Sequence, residues 1–217
     1  MTEATRHPDF ATSWSSRGGR ALTLAGLIVA CGAGLAAASD LPVHDGVGGD
    51  FELESSRGGQ ERLSDHLGEV VLLFFGFTSC PDVCPANLAH LSALYRELGT
   101  DATGTQVLLV SVDPQTDTPA RLKEYLGRFD GRFTGLTGTP DQINHVAGLF
   151  KVKHEPTHEH HVTMEHNKQK AFVAEGVLVA HSQQVYLIDK AGRTRSLFYT
   201  GTPVEEMAAA VRALKAE

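Results

Sequence analysis

Six consecutive apolar residues, Val70-Val71-Leu72-Leu73-Phe74-Phe75, run directly into Gly76-Phe77-Thr78-Ser79-Cys80-Pro81-Asp82-Val83-Cys84-Pro85. A short apolar run of this kind reads as a buried strand. Beyond it, Cys84, Leu88, Leu91, Tyr95 and Leu98 recur at helical spacing. The chain therefore passes from buried strand to helix within a few residues, and the turn between them carries two thiols. With the helix beginning by Pro81, both sulfurs lie on roughly one face, close enough to share a ligand or a disulfide. A helix start also lowers the pKa of a thiol, so an accessible thiolate is expected there. The pair points to metal or redox work.

The rest of the pattern surrounds that turn with an α/β domain. Val107-Leu108-Leu109-Val110-Ser111-Val112 is a second buried strand, ended by Asp113-Pro114. Thr118-Pro119, Thr139-Pro140 and Thr202-Pro203 each open a helix, because threonine caps the first free amides and proline suits the first helical position. Their inward residues are Leu122, Tyr125, Leu126 and Phe129; Ile143, Val146 and Phe150; and Met207, Val211 and Leu214. Gln142 and Glu205 complete possible capping boxes. Phe51-Glu52-Leu53, residues 176–180 and residues 184–189 read as strands, with turns at Gly58-Gly59 and Lys190-Ala191-Gly192. Strands alternating with helices predict an α/β three-layer domain.

The N-terminal part is different in kind. Residues 1–20 form a short segment with Arg6, Arg17 and Arg20, and Ala21 to Ala38 then follow without a charge, long enough to span a bilayer. No Lys or Arg returns until Arg57, so the arginine bias keeps the N-terminus cytoplasmic and exports the rest. Two other readings also export it: a signal peptide ending at Ala36-Ala37-Ala38, and a lipoprotein box Ile28-Val29-Ala30-Cys31 with Cys31 lipidated. Residues 39–48 read as a Gly-rich tether and 49–217 as the domain. Three cysteines make no disulfide framework, so packing holds the fold. A net charge of −7 argues against nucleic acid or an anionic membrane surface as the main partner.

Cys80 and Cys84 admit a structural, a redox and a soft-metal reading. Their spacing is wider than the Cys-x-x-Cys of the usual redox motif, and paired thiolates select Cu(I) or zinc. His181, in Ala180-His181-Ser182 ahead of the strand that starts near Gln184, sharpens the metal reading. A loop entering a neighbouring strand at the right edge of the sheet reaches the same site, and two thiolates with one imidazole suit Cu(I) and, after rearrangement, Cu(II). Asp113 and Asp117 either attract a cationic partner or tune the site, or, in the plainer and favoured reading, end the strand and place negative charge before the Thr118 cap at a helix start. Residues 154–166 hold His154, His158, His160, His161 and His166, five of the chain's eleven histidines. They form either an inert polar insertion or a weak auxiliary copper-capture loop.

These residues resemble the Sco/SenC family of membrane-anchored copper proteins. The matching elements are Asp50-Phe51-x-Leu53, Phe75-Gly76-Phe77-Thr78-Ser79-Cys80-Pro81-Asp82-Val83-Cys84-Pro85 and Ser111-Val112-Asp113-Pro114-x-x-Asp117-Thr118-Pro119. His181-Ser182 before Val185-Tyr186-Leu187-Ile188-Asp189-x-x-Gly192 completes the set. The resemblance runs over roughly 49–217. It implies a thioredoxin-like fold, copper ligation by Cys80, Cys84 and His181, and a role in building the binuclear copper centre of cytochrome c oxidase subunit II. It also implies an inner-membrane location with the domain on the periplasmic side. Another copper-enzyme client in place of that subunit, and an upstream copper chaperone or thiol reductant, are further expected partners. The chain departs from the family in having Ala180 where an Asp usually precedes the histidine, and in the longer, His-rich connection after Phe150.

Two functions follow as expectations. One is a copper metallochaperone that binds and transfers the ion without turnover. The other is a thiol-disulfide reductase that keeps the client's cysteines reduced, with Cys80 and Cys84 as its redox pair. The stretch Ala180-His181-Ser182-Gln183-Gln184-Val185 lacks the proline that thioredoxin-type oxidoreductases place before the facing strand, which favours metal binding. A peroxide-reducing relative fits less well, since Phe77 stands three residues before Cys80.

Overall fold

A computed structural model describes residues 41–153 and 184–217. The possible spanning segment 21–38, Cys31, the His-rich stretch 154–166, the expected strand 176–180 and His181 lie outside the described residues. Among those described, no helix is long and apolar enough to cross a membrane.

The described residues build one sheet of seven strands. In chain order these are β1 (Glu52–Ser55), β2 (Gln60–Arg62), β3 (Val70–Gly76), β4 (Thr105–Ser111), β5 (Thr134–Thr137), β6 (Val185–Ile188) and β7 (Thr194–Phe198), arranged β2-β1-β5-β4-β3-β6-β7. The helices are α1 (Val83–Leu98), α2 (Pro119–Gly127), α3 (Pro140–Leu149) and α4 (Val204–Ala216). Strands β3, β4 and β5 are parallel neighbours, each connected through a helix because a parallel crossover needs length. β6 returns antiparallel on the other side of β3.

Every residue of β3 is buried, since helices cover both faces of the sheet. The two-residue period of the strand divides its side chains between two cores. Val70, Leu72 and Phe74 pack with α1, α2 and α4, whereas Val71, Leu73 and Phe75 pack with α3 and with Phe51, Leu53 and Phe150. This is the three-layer arrangement that the sequence pattern predicts. Gly135 on β5 lets α2 lie close: a Cβ there would come within 2.7 Å of the Leu122 Cβ. That approach fixes where α2 presents its first turns.

Several local expectations hold in detail, and some do not. Thr118 caps α2 by accepting from Arg121 N at 3.3 Å, and Thr139 with Gln142 forms a full capping box on α3. α4 differs. Its flanking residue is Pro203, and the Thr202 hydroxyl accepts from Tyr199 N at 3.1 Å, tying back its own loop instead of capping the helix. α1 begins at Val83 rather than Pro81, because Pro81 and Asp82 stay in the turn. Strands β2 and β5 carry no apolar run and were not among the expected strands.

Residues 41–48, within the expected tether, lie along the domain. His44 N donates to Thr194 O at 2.9 Å and Gly48 N to Leu149 O at 2.9 Å. Buried Arg195 donates to Leu41 O from Nε at 3.0 Å and Nη2 at 2.7 Å, while also pairing with Asp189 at 3.0 Å and Glu217 at 2.6 Å.

Candidate metal and redox site

The site is built where β3 and β4 end. Their register pairs Gly76 with Ser111, and Val112 N donates to Gly76 O at 3.0 Å, so the loops after both strands open at the same edge. Carboxyl ends of adjacent parallel strands are where α/β sheets commonly form binding clefts. β6 starts with Val185 opposite Phe74, so the chain enters β6 at that same edge. Cys80 is half-buried and Cys84 is fully buried, and both are thiols rather than a disulfide.

Cys84 N donates to Cys80 Sγ at 3.4 Å, the turn folding the helix start back onto the first sulfur. Its thiol is drawn to the same atom. A hydrogen bond with Cys80 and burial push the Cys84 pKa well up, against a smaller opposing effect from the Phe77 backbone. The expected lowering by the helix start is therefore overturned for Cys84. Burial and the neighbouring sulfur outweigh the helix dipole, which acts only over the first turn. Gly76 makes the pocket for this sulfur: a Cβ there would lie 3.0 Å from Cys84 Sγ and 3.0 Å from Leu109 Cδ1.

The turn is held from below by a carboxylate that the sequence pattern did not single out for this task. Asp117 is fully buried. It accepts from Thr78 N at 2.9 Å, from Thr78 Oγ1 at 2.5 Å and from Ser111 Oγ at 2.7 Å. Arg121 reaches in from α2, donating from Nε to Thr78 Oγ1 at 2.7 Å and lying 3.7 Å from Asp117 Oδ1. Asp117 thus fastens the cysteine turn to the end of β4, a larger role than a charge before a helix. Ser111 also accepts from Asp113 N at 3.1 Å, so Asp113 does sit at the strand end as expected.

Beside the turn is a cleft of about 220 Å³ lined by Thr78, Arg121, Glu124, Tyr125 and Arg128. The Tyr125 ring packs edge-on to Phe129, with centroids 5.4 Å apart. Its hydroxyl is buried without a hydrogen-bond partner among the described residues. Burial first, then the nearby Cys84, Cys80 and Asp117, push its pKa up.

Among the described residues, no group of three or more His, Cys, Asp or Glu side chains is placed to hold a metal. Two of the three expected ligands, Cys80 and Cys84, are together on the turn, and the third lies outside the description.

The family model for SCO1/SenC matches residues 40–216. The chain belongs to the SCO1/SenC family. A SCO2-like protein of Rickettsia conorii is 36% identical over 162 residues, covering 74% of this chain and 73% of its own. The structure of Bradyrhizobium japonicum ScoI with copper bound superposes with a TM-score of 0.67 at 33% identity, over 77% of this chain and 99% of that one. BsSco, described as carrying a disulfide switch and as a member of the Sco family of cytochrome c oxidase assembly proteins, has the same fold. Its TM-score is 0.59 at 22% identity, over 81% of this chain and 96% of its own. The α/β sheet described above is thus the thioredoxin-like arrangement of solved Sco-family structures.

Proposed function

We propose that this SCO1/SenC protein is a copper metallochaperone, taking the ion as cargo on Cys80, Cys84 and His181 and passing it to the binuclear copper centre of cytochrome c oxidase subunit II. The observation that carries this reading is the sulfur pair on the β3–α1 turn, with Cys84 folded back onto Cys80 at the carboxyl edge of the sheet. Two soft donors at this spacing favour Cu(I), and an imidazole supplies a third, more readily exchanged ligand. Entry of the chain into β6 at the same edge supports the assignment of His181. Metal binding removes the thiol protons, so uptake releases protons and a buried thiol such as Cys84 is ionised only by the metal. Release follows as the client's own ligands replace these one at a time.

The domain works outside the cytoplasm in this reading, held to the membrane through residues 21–38 as a spanning helix, or as an uncleaved or lipidated leader at Cys31. An upstream copper donor or thiol reductant keeps the site loaded or reduced.

A second reading, thiol-disulfide reductase, draws on the asymmetry of the two thiols. Accessible Cys80 is the attacking sulfur and buried Cys84 the one that resolves the mixed disulfide. The experiment that separates them mixes copper-loaded protein with the copper-free soluble domain of oxidase subunit II, supplied with its cysteines reduced or oxidised. Copper transfer to the reduced domain supports the chaperone. No copper transfer to the reduced domain, together with reduction of the oxidised domain's disulfide by the copper-free dithiol form as Cys80 and Cys84 become a disulfide, supports the reductase.

A further inference from the structure

Between Thr78, which Asp117 holds, and Cys80 stands exposed Ser79. Arg121 donates from Nη2 to Ser79 Oγ at 3.3 Å and from Nε to Thr78 Oγ1 at 2.7 Å. A guanidinium is a planar fork of donors, so one side chain grips two neighbouring hydroxyls at once. The Thr78 hydroxyl in turn donates to Asp117 Oδ1 at 2.5 Å, which makes Arg121, Thr78 and Asp117 a chain of hydrogen bonds that polarise one another. The position of Arg121 follows from the start of α2: its amide donates to the Thr118 cap at 3.3 Å, and Gly135 lets the helix lie close to the sheet. Beyond Ser79, Cys80 N donates to Phe77 O at 3.3 Å, a bond that lasts only while residues 77–80 keep their turn.

We propose that Arg121 is a positioning residue for Cys80, its guanidinium clamping the two residues before the sulfur and holding the turn in the shape that presents it. The proposal rests on the reading of Cys80 as a copper ligand. The hydrogen bonds of Asp117 reach the turn at Thr78, and the Arg121 fork carries the restraint one residue further, to Ser79. Arg128, the other arginine lining the cleft, is paired with Glu124 at 2.6 Å, and of the two only Arg121 hydrogen-bonds the turn. A sulfur on a restrained backbone gives up its ion less readily than one on a loose turn, because it cannot swing away before a client's ligand arrives.

The test compares the full chain with Arg121→Met, Ser79→Ala, the double variant and Arg128→Met. Amide hydrogen exchange at Cys80 in the reduced, copper-free proteins reads the turn, with the amide of buried Phe74 on β3 as reference for the rest of the fold. The rate at which Cu(I) passes to an excess of chelator reads the consequence for the ion. Arg121→Met is expected to raise both rates about tenfold, through loss of a charged donor to two hydroxyls. Ser79→Ala is expected to raise them about threefold, the scale of one exposed contact. Because Arg121 also lies 3.7 Å from buried Asp117, the double variant isolates the Ser79 contact: Ser79→Ala is expected to change nothing further in the Arg121→Met background. Arg128→Met leaves the hydrogen bonds of the turn in place and is expected to match the parent. Cys80 exchange in Arg121→Met equal to the parent's overturns the proposal. So does a Ser79→Ala effect of the same size with and without Arg121, or a rise at Phe74 as large as that at Cys80. If the parent takes up no copper, the chaperone reading fails, and the Cys80 amide still decides the role of Arg121.

Discussion

Thr78 and Asp117 are joined twice across a separation of 39 residues: the Thr78 amide and hydroxyl both donate to the Asp117 carboxylate, at 2.9 and 2.5 Å. Through this pair the loop after β4 dictates the shape of the turn that carries Cys80. Replacing Asp117 by Ala leaves the Thr78 amide and the Thr78 and Ser111 hydroxyls without their acceptor. Stability is expected to fall by about 3 kcal/mol, and copper affinity with it. Asp117→Asn, which keeps the shape and one acceptor oxygen, is expected to lie between Ala and parent. Denaturant unfolding of the three proteins in the copper-free state measures the first effect, and competition against a Cu(I) chelator measures the second.

Gly76 is tested by adding one methyl. Gly76→Ala places a Cβ 3.0 Å from Cys84 Sγ and 3.2 Å from Phe74 Cε2, between a buried sulfur and a ring that cannot retreat. Overpacking of this kind costs roughly 1–3 kcal/mol. Copper retention is expected to drop alongside stability, whereas Gly127→Ala, in α2 with nothing within 4 Å, is expected to leave copper retention unchanged and not to lower stability.

His66 gives the domain a pH dependence unrelated to the cysteines. Its Nε2 meets Glu61 Oε1 at 2.9 Å and its Nδ1 meets Glu69 Oε2 at 3.0 Å. Glu61 also accepts from Ser55, and Glu69 from Gln106, with Arg57 adding its positive charge near Glu61. The hydrogen bond with Glu61, partly opposed by burial and helped by Glu69, raises the His66 pKa above its ordinary value of 6.5. A raised histidine stabilises the fold fully below that ordinary value and loses the contribution as pH rises through its folded pKa. Glu61 is lowered, its hydrogen bonds outweighing the burial that would raise it, so its share is lost on acidification. Stability is expected to decline by roughly 1 kcal/mol as pH rises from about 6 past the folded pKa of His66. His66→Gln is expected to flatten that decline in urea midpoints measured across the range. An undiminished decline in the variant would contradict the assignment.

Arg195 ties both ends of the described chain to the β6–β7 hairpin, meeting Leu41 O, Asp189 and Glu217. Arg195→Met removes a buried cation from Glu217 and from the buried Asp189, which keeps only Arg193 among the described cations, at 2.8 Å. A loss of about 3 kcal/mol is expected, together with faster proteolytic cleavage between residues 41 and 48. Limited proteolysis followed by mass measurement of the fragments reads the second effect.

Strands β3 and β4 and the helix between them were legible because burial on both faces leaves an unbroken apolar run, and because α1 repeats its inward residues from Cys84 to Leu98. The Thr-Pro openings of α2 and α3 were legible because capping is a local interaction within four residues. The same signal failed at Thr202, whose hydroxyl found Tyr199 in its own loop. Strands β2 and β5 escaped notice because Gln60–Arg62 and Thr134–Thr137 are short and owe their pairing to neighbours. The sulfur pair was evident from spacing, yet its electrostatics were not. The rise in the Cys84 pKa comes from contact with Cys80 and from burial, which depend on how Gly76 and Leu109 pack around it. Asp117 looked like a helix-start charge because Thr78, its partner, lies 39 residues away.

The most direct measurement is anaerobic Cu(I) titration of the reduced full chain beside Cys80→Ser, Cys84→Ser and His181→Ala. The account predicts one tightly held Cu(I) per chain, lost with either serine variant. It is retained on the two sulfurs in His181→Ala, which loses most of its Cu(II) binding instead. Tight Cu(I) binding that survives both serine substitutions, or a parent that binds copper only weakly, would contradict it.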